Sequence, residues 1–410
     1  MSLTVDTARL TAELDTLATF SAAPPPAVTR IVYSDEDRRA REYVKSLCHA
    51  AGLAVREDAV GNIFARWAGT EPELAAIATG SHIDAIPHAG RYDGTVGVLG
   101  GLEAIRALQR DGVKPRRSVE LIVFSAEEPT RFGIGCFSSR LLAGELDPVS
   151  LRDRDGKSLD QWRTEAGFHG DLASVALARG AYSAFVELHI EQGPLLEQAG
   201  IPLGVVTAIA APATWHIEIE GLGGHAGAML MRDRKDAFCA AAEIVLAVEQ
   251  AAKSTGSDDT VGTVGVCDVF PGAVNSVPLR ARLEVDVRDI DGARRDGVLA
   301  TIRQACDQTA ARRGVRIGIR QINADAPAEC DGAVVDALAA AASSSGVAHR
   351  KMVSRAYHDS LFLSRVAPTA MLFIPCRGGV SHRPDEYSSP EAIATGTQVL
   401  AEAMRALSVR

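Results

Sequence analysis

Three stretches in the first half of the chain are almost continuously apolar and then turn polar. They read LAAIATGSHID (74–84), VELIVFSAEE (119–128) and SAFVELHIEQG (183–193). Unbroken runs of β-forming residues predict strands buried on both faces. Ionisable residues at their ends predict a sheet whose C-terminal edge opens onto a site. Between the first two runs, GTVGVLGGLEAIRALQRDG has a helical pattern with glycines near its start. EDRRAREYVKSLCHAAG (36–52) carries an apolar stripe that closes on Gly52, a helix stop. Strands alternating with helices predict an α/β sheet covered on both faces.

The pattern changes near residue 210. TWHIEIEG (214–221) alternates apolar and polar positions, and RARLEVDVRDI puts Leu283, Val285 and Val287 on one face and Glu284, Asp286 and Arg288 on the other. Helices are expected over 236–252 and about 291–313, with strands before, between and after them. The order β-α-β-β-α-β is the split βαβ pattern, one sheet face covered by two helices. The expected architecture is therefore α/β. A first domain of 1–209 and 326–410, with a helix-covered mixed sheet, is interrupted by an inserted α+β domain at 210–325.

Composition narrows the function classes. The 410 residues are 47% hydrophobic and 23% charged, with a formal net charge of −9. An acidic balance gives no support to nucleic acid or an anionic membrane as partner. None of the seven cysteines is spaced as CxxC, which argues against a disulfide framework or a thiolate zinc site and for a reducing, cytoplasmic setting. The start, MSLTVDTARLTAELDTLATF, lacks the basic segment and apolar core of a signal peptide. No apolar run is long enough to span a bilayer.

The polar strand ends collect metal-ligand residue types: His82, Asp84, His88 and Asp93, then Glu127 and Glu128, then Glu187, His189 and Glu191, with His382 near the C-terminus. Imidazole with carboxylate, and no cysteine, suits Zn²⁺, Mn²⁺ or a similar ion in a hydrolytic site. A carboxylate such as Asp93 can bridge two ions. Taken singly, each cluster has a plainer reading. A lone strand histidine is commonly a hydrogen-bonded core residue, Glu127–Glu128 a solvated pair, and His189 part of a salt-bridge face. Four such clusters at predicted sheet ends bring the metal hydrolase level with those readings.

The segments GSHIDAIPHAGRYDGTVGVLGGLE, EEPTRFG, ELHIEQGPLLE, GGHAGAMLMRDRKDA, PGAVNSVP, DVRD and SHRPDEYSS resemble the dinuclear metal amidohydrolases of the M20 peptidase-like superfamily. Within it they are similar to the carbamoylase and allantoate amidohydrolase branch, for which HIEQGP is specific. The resemblance implies a metallo-exopeptidase-like catalytic domain with an inserted lid and dimerisation domain. It implies that His82, Asp93 and His189 bind one metal, and that Asp93 bridges to a second held by Glu128 and His382. Glu127 would be the general acid/base and Asp84 the carboxylate orienting His82. His225, in GLGGHAG, would steady the oxyanion in a partner subunit's site, making the protein a homodimer through the lid. Gln192 would meet the ureido end of a small ureido-carboxylate substrate, and Asn275 with Arg288 its carboxylate. A guanidinium fork suits two carboxylate oxygens, while an ion pair with Asp286 or Asp289 is the plainer reading of Arg288.

Two departures from that branch point one way. It commonly reads HAGTTPM where this chain has HAGAMLM, and SGAGHDA where this chain has SRAYHDS. These segments, with PGAVNSVP and SHRPDEYSSPE, resemble ureidoglycolate amidohydrolases. The resemblance implies two divalent ions per subunit, Mn²⁺ first, with Zn²⁺, Co²⁺ and Ni²⁺ compatible with the donors. It implies conversion of (S)-ureidoglycolate and water to glyoxylate, carbon dioxide and two ammonia molecules. N-carbamoyl-L-amino acid, β-ureidopropionate and allantoate hydrolysis are the alternatives. A metal-free binding protein is a third class, opposed by the presence of every expected ligand. Arg355 and Tyr357 are expected to fill space beside a small substrate, with the Tyr357 hydroxyl meeting a substrate hydroxyl. His358 and Asp359 are read as a pair shaping that pocket loop, since five ligands and a base are already supplied.

Overall fold

Alternate residues of the central strands go to opposite faces, and both faces are covered. All seven residues of the strand Ala76–His82 and all six of Val119–Phe124 are buried. Ile77, Leu121, Val123, Val186 and Leu188 join one apolar core, while Ala76, Ala78, Ile122, Phe124 and Phe185 join another. This is why the runs show no alternation in the sequence. The strands Thr369–Ile374, Tyr182–Ile190, Ala76–His82 and Val119–Phe124 lie in that order, all parallel. Leu203–Ile209 and Ile63–Trp67 flank them antiparallel, so the sheet is mixed.

This computed structural model describes residues 3–409. Their contacts define two units. The first runs to Thr207 and resumes over Cys330–Ser354 and from His358 onward. The second is Ala208–Glu329 together with the tripeptide Arg355–Tyr357. The expected split at 210 and 325 lies just inside these limits, and no sequence pattern marks the tripeptide.

In the first unit the helix Thr95–Arg110 lies close on the sheet. A Cβ on Gly97 would come within 2.4 Å of the Leu188 carbonyl oxygen, so only glycine permits that approach. Gly94, at φ 65°, is the N-cap, and a Cβ there would meet His82 Nε2 at 2.4 Å. The glycines at the start of the helical pattern thus seat its N-terminus beside a candidate ligand. The helix Asp35–Ala50 stops two residues before Gly52, which closes the turn at φ 72°.

In the second unit four antiparallel strands are ordered Val261–Phe270, Arg280–Asp289, Ala211–Glu220, Arg316–Ala324. The helices Ala237–Lys253 and Gly292–Arg313 cover one face, where Trp215, Ile217, Leu283, Val285 and Val287 form a core with Ile244 and Ile302. Glu284, Asp286 and Arg288 occupy the other face, half-buried. The tripeptide belongs here because Arg355 Nη2 pairs with Asp259 Oδ1 at 2.7 Å and the Arg288 guanidinium lies over the Tyr357 ring at 5.3 Å. No helix among the described residues is long and apolar enough to cross a membrane.

Candidate metal centre

The C-terminal ends of the parallel strands place the ligand types within reach of one another. His82 is the last residue of its strand, His189 the penultimate residue of its own, and Glu127 and Glu128 follow Phe124 by a short turn. Asp93 stands just before the helix Thr95–Arg110. Three imidazole nitrogens converge on its carboxylate. His82 Nε2 and His189 Nε2 lie 3.4 and 3.2 Å from Oδ1, and His382 Nε2 lies 3.3 Å from Oδ2. His382 Nε2 is also 3.3 Å from Glu128 Oε1. The two oxygens of Asp93 therefore face two separate donor groups, His82–Asp93–His189 and Asp93–Glu128–His382.

For His82 and His189 the far side of the ring fixes the tautomer. His189 Nδ1 is 2.9 Å from the Ile190 carbonyl, so it carries the hydrogen and leaves Nε2 an acceptor, which takes the Gly94 N–H at 3.1 Å. His82 Nδ1 lies 3.2 Å from both the carbonyl and Oδ1 of Asp84. Asp84 does more than orient His82. Its two oxygens accept the backbone N–H of Glu127 and of Glu128, at 3.0 and 3.1 Å. One buried carboxylate thus ties the first strand end to the second.

The electrostatics are those of acids crowded together. Burial opposes the Asp93 charge, but the His189 charge, with the close imidazoles of His382 and His82, holds its carboxyl well below the usual range. Burial, then the charges of Glu127 and Asp93, push Glu128 well up. Burial also raises Glu127, with His82 acting against it. The hydrogen bond to Asp93 lifts His382 to about 9 despite its burial. Cations would relieve this repulsion.

Not every candidate joins the cluster. His88 is exposed, and its backbone N–H donates to Thr29 Oγ1. Glu191 caps the short helix Leu195–Ala199 through the N–H groups of Leu195 and Leu196. Glu187, with His189 and His358, forms a third close group. Its oxygens, however, already accept from the hydroxyls of Ser81 and Ser360 at 2.7 and 2.6 Å. His358 is buried with its ring 4.5 Å from that of His189 and 5.8 Å from that of Phe373. Asp359 accepts from Ser139 Oγ at 2.5 Å. The expected loop-shaping pair is thus two buried residues, His358 packed behind a candidate ligand and Asp359 bonded to a neighbouring helix. Gln192 Nε2 donates to Asp93 Oδ2 at 2.6 Å and to Ser381 Oγ at 3.3 Å. Its Oε1 is buried without a hydrogen-bond partner among the described residues.

The remaining predicted site residues lie in the second unit. His225 is exposed, pairs with Ser276 across a short antiparallel bridge, and accepts the Gly227 N–H on Nδ1 at 3.1 Å. Asn275 is exposed in the loop after Phe270. The plainer reading of Arg288 is present, since Nε donates to Asp286 Oδ1 at 2.7 Å. Asp289 is taken by Arg294 and Thr260 instead. Arg355 donates to Asp259 Oδ1 at 2.7 Å and to the Asp258 carbonyl at 3.2 Å.

With this geometry in view, the model of peptidase family M20/M25/M40 matches residues 78–406. The chain belongs to that family. Ureidoglycolate hydrolase of Arabidopsis thaliana is 52% identical over 418 aligned residues, spanning 100% of this chain and 88% of the relative. The N-carbamoyl-L-amino acid amidohydrolase of Geobacillus stearothermophilus is 38% identical, covering 96% of each chain. A crystal structure of AtUAH in complex with (S)-hydroxyglycine superposes with a TM-score of 0.92 at 52% identity, covering 99% of both chains. The M20 α/β fold and a hydrolase acting on C–N bonds follow from these likenesses.

The donors fit divalent ions. Imidazole nitrogens and carboxylate oxygens, with no thiolate, are the set that Zn²⁺ and Mn²⁺ accept. His82 Nε2 is buried with no hydrogen bond among the described residues, as a lone pair kept for an ion would be. Family and geometry together support divalent metal use. Two neighbours of the cluster escaped the sequence reading, Glu386 and Cys136. Neither stands at a strand end, and Glu386 reaches Tyr92 and Asp93 only through the fold.

Proposed function

We propose that this protein hydrolyses the ureido C–N bond of (S)-ureidoglycolate, and the observation that carries the reading is 52% identity along the whole chain to ureidoglycolate hydrolase of Arabidopsis thaliana. Two divalent ions, Mn²⁺ first, are held by His82, Asp93 and His189 on one side and by Asp93, Glu128 and His382 on the other. When bound there they supply Lewis acidity and a water of lowered pKa. Glu127 takes a proton from the attacking water as its oxygen bonds to the ureido carbonyl carbon. It returns that proton to the departing nitrogen as the C–N bond breaks. The carbamate so released decays to carbon dioxide and ammonia. The other product, hydroxyglycine, loses the second ammonia to give glyoxylate.

Further residues recognise the substrate. The free Oε1 of Gln192 accepts a ureido N–H. Arg288 takes the carboxylate with Asn275, and Tyr357, stacked under Arg288, reaches the substrate hydroxyl. His225 acts as oxyanion donor in a partner subunit, so the working form is a dimer through the second unit. Its Nδ1 is occupied as an acceptor, which leaves Nε2 to carry the hydrogen. His358 backs His189 and shapes the pocket wall.

The test is turnover of ureidoglycolate, N-carbamoyl-L-amino acids, β-ureidopropionate and allantoate after reconstitution with defined metals. Ureidoglycolate should have the highest kcat/KM. Glu127→Gln should lower kcat by about 10²–10⁴-fold. Full activity in that variant, or preference for a carbamoyl amino acid, overturns the reading.

A further inference from the structure

The ligands differ in how they are fixed. His82 and His189 sit on buried central strands. Asp93 precedes a buried helix. His382, by contrast, lies on an irregular segment at φ 59° with its side chain 44% exposed. No strand or helix holds it.

Glu386 fills that gap. It is 4% exposed, and both oxygens are used. Oε1 accepts the backbone N–H of Tyr92 at 2.8 Å and of Asp93 at 3.1 Å. Oε2 accepts the Ser381 hydroxyl at 2.9 Å and the backbone N–H of His382 at 3.3 Å. Ser381 Oγ also lies 2.7 Å from Asp93 Oδ2. One carboxylate therefore spans two ligands nearly three hundred residues apart in sequence. Gly90 is part of the fit, since a Cβ there would come within 2.4 Å of the Glu386 side chain. The mechanism gives Glu386 no chemical step, and it touches neither donor face of Asp93.

We infer that Glu386 is the positioning residue for one ion only, the one shared by Asp93, Glu128 and His382. The inference rests on the ligand assignment proposed above. Its physical basis is that Asp93, besides its own bond to Glu386, runs directly into the N-terminus of the helix Thr95–Arg110, whereas His382 adjoins no helix or strand and its N–H has this carboxylate. Loss of Glu386 should leave the His82–Asp93–His189 group in place and let His382 drift. Outer partners of metal ligands typically contribute about 10–100-fold to metal affinity.

The experiment is calorimetric titration of metal-stripped, full-length protein with Mn²⁺, and with Zn²⁺ in parallel, alongside metal content after gel filtration. Glu386→Gln is nearly isosteric and keeps one acceptor oxygen, but turns an NH₂ group towards the His382 N–H. The expected result is one ion bound as in wild type and the other weakened by about 10–100-fold. Turnover should then return as Mn²⁺ is raised, which a collapsed fold would not allow. Ser381→Ala, which only cuts a hydroxyl link, should weaken the same ion to a smaller degree. Wild-type affinity for both ions in both variants, or equal loss of both ions, overturns the inference. His382→Ala separates the two readings: if it still binds two ions normally, the ligand assignment fails, and the Glu386 proposal with it. If it loses one ion while Glu386→Gln loses none, only the Glu386 proposal fails.

Discussion

The thiol of Cys136 donates to Oε1 of Glu127 at 3.2 Å. The backbone of the same residue donates to the Glu127 carbonyl at 2.6 Å. Cys136 is fully buried, and burial, then the Glu127 charge, push its thiol well up, so it stays a neutral donor. Under the proposed role of Glu127, engaging one carboxylate oxygen leaves the other for the attacking water. Cys136→Ala should therefore lower kcat by about tenfold with KM little changed, the low end for a hydrogen bond to a charged group. Cys136→Ser should recover most of that loss. All three residues bear the same cost at φ 56°, so a difference between Ala and Ser reports the donor. Equal kcat in wild type and Cys136→Ala would show that the contact has no catalytic weight.

Tyr357 offers a hydroxyl where a substrate hydroxyl is expected. Tyr357→Phe keeps the ring under Arg288 and removes only the oxygen. It should lower kcat/KM for ureidoglycolate by about 10–100-fold while leaving slow turnover of N-carbamoyl-L-amino acids unchanged. Unaltered selectivity sinks the assignment.

Carboxylates gathered around Asp93 repel one another when no cation is bound. Exhaustive chelation should lower the apparent Tm by a few degrees and abolish turnover, through loss of ligand-linked stability. Adding back single metals, read by thermal melts and turnover together, identifies the productive ion. Unchanged Tm and full activity after chelation refute metal dependence.

Asp37 permits a pH prediction away from the metal centre. Burial raises its carboxyl to about 6, against the pull of Arg41 and the hydrogen bond from the Tyr33 N–H. A raised acid takes up a proton on folding. Its contribution is present at low pH, is lost as pH rises from about 4 to about 6, and is constant above that. Asp37→Asn keeps an acceptor for Tyr33 and removes the titration. The stability of wild type minus variant should fall by on the order of 2–3 kcal/mol between pH 4 and pH 6. Urea unfolding at a series of pH values measures it, and a flat difference would contradict it.

The strands, the helices and the ligand types at strand ends could be read from the chain because each follows from short-range pattern, whereas grouping Asp93 and His382 with them rested on the family resemblance. Apolar runs ending in ionisable residues mark His82, Glu127, Glu128 and His189, and alternation marks the faces of the second unit. What escaped has no local signature. Glu386 sits in a loop and matters through backbone groups nearly three hundred residues away. Gln192, His382 and Cys136 have positive φ without being glycine, so nothing in their identity announces the turn. The ion pair of Arg355 likewise escaped, because its partner Asp259 is distant in sequence.

The tripeptide Arg355–Tyr357 has a practical consequence for chimeras. It belongs to the second unit although both its neighbours in the chain belong to the first. Exchanging Ala208–Glu329 for the equivalent segment of a carbamoylase would leave Arg355 facing a foreign loop in place of Asp258 and Asp259. A graft meant to carry substrate choice from one relative to another therefore needs two cuts more than a single insertion would. The three residues have to travel with the insert.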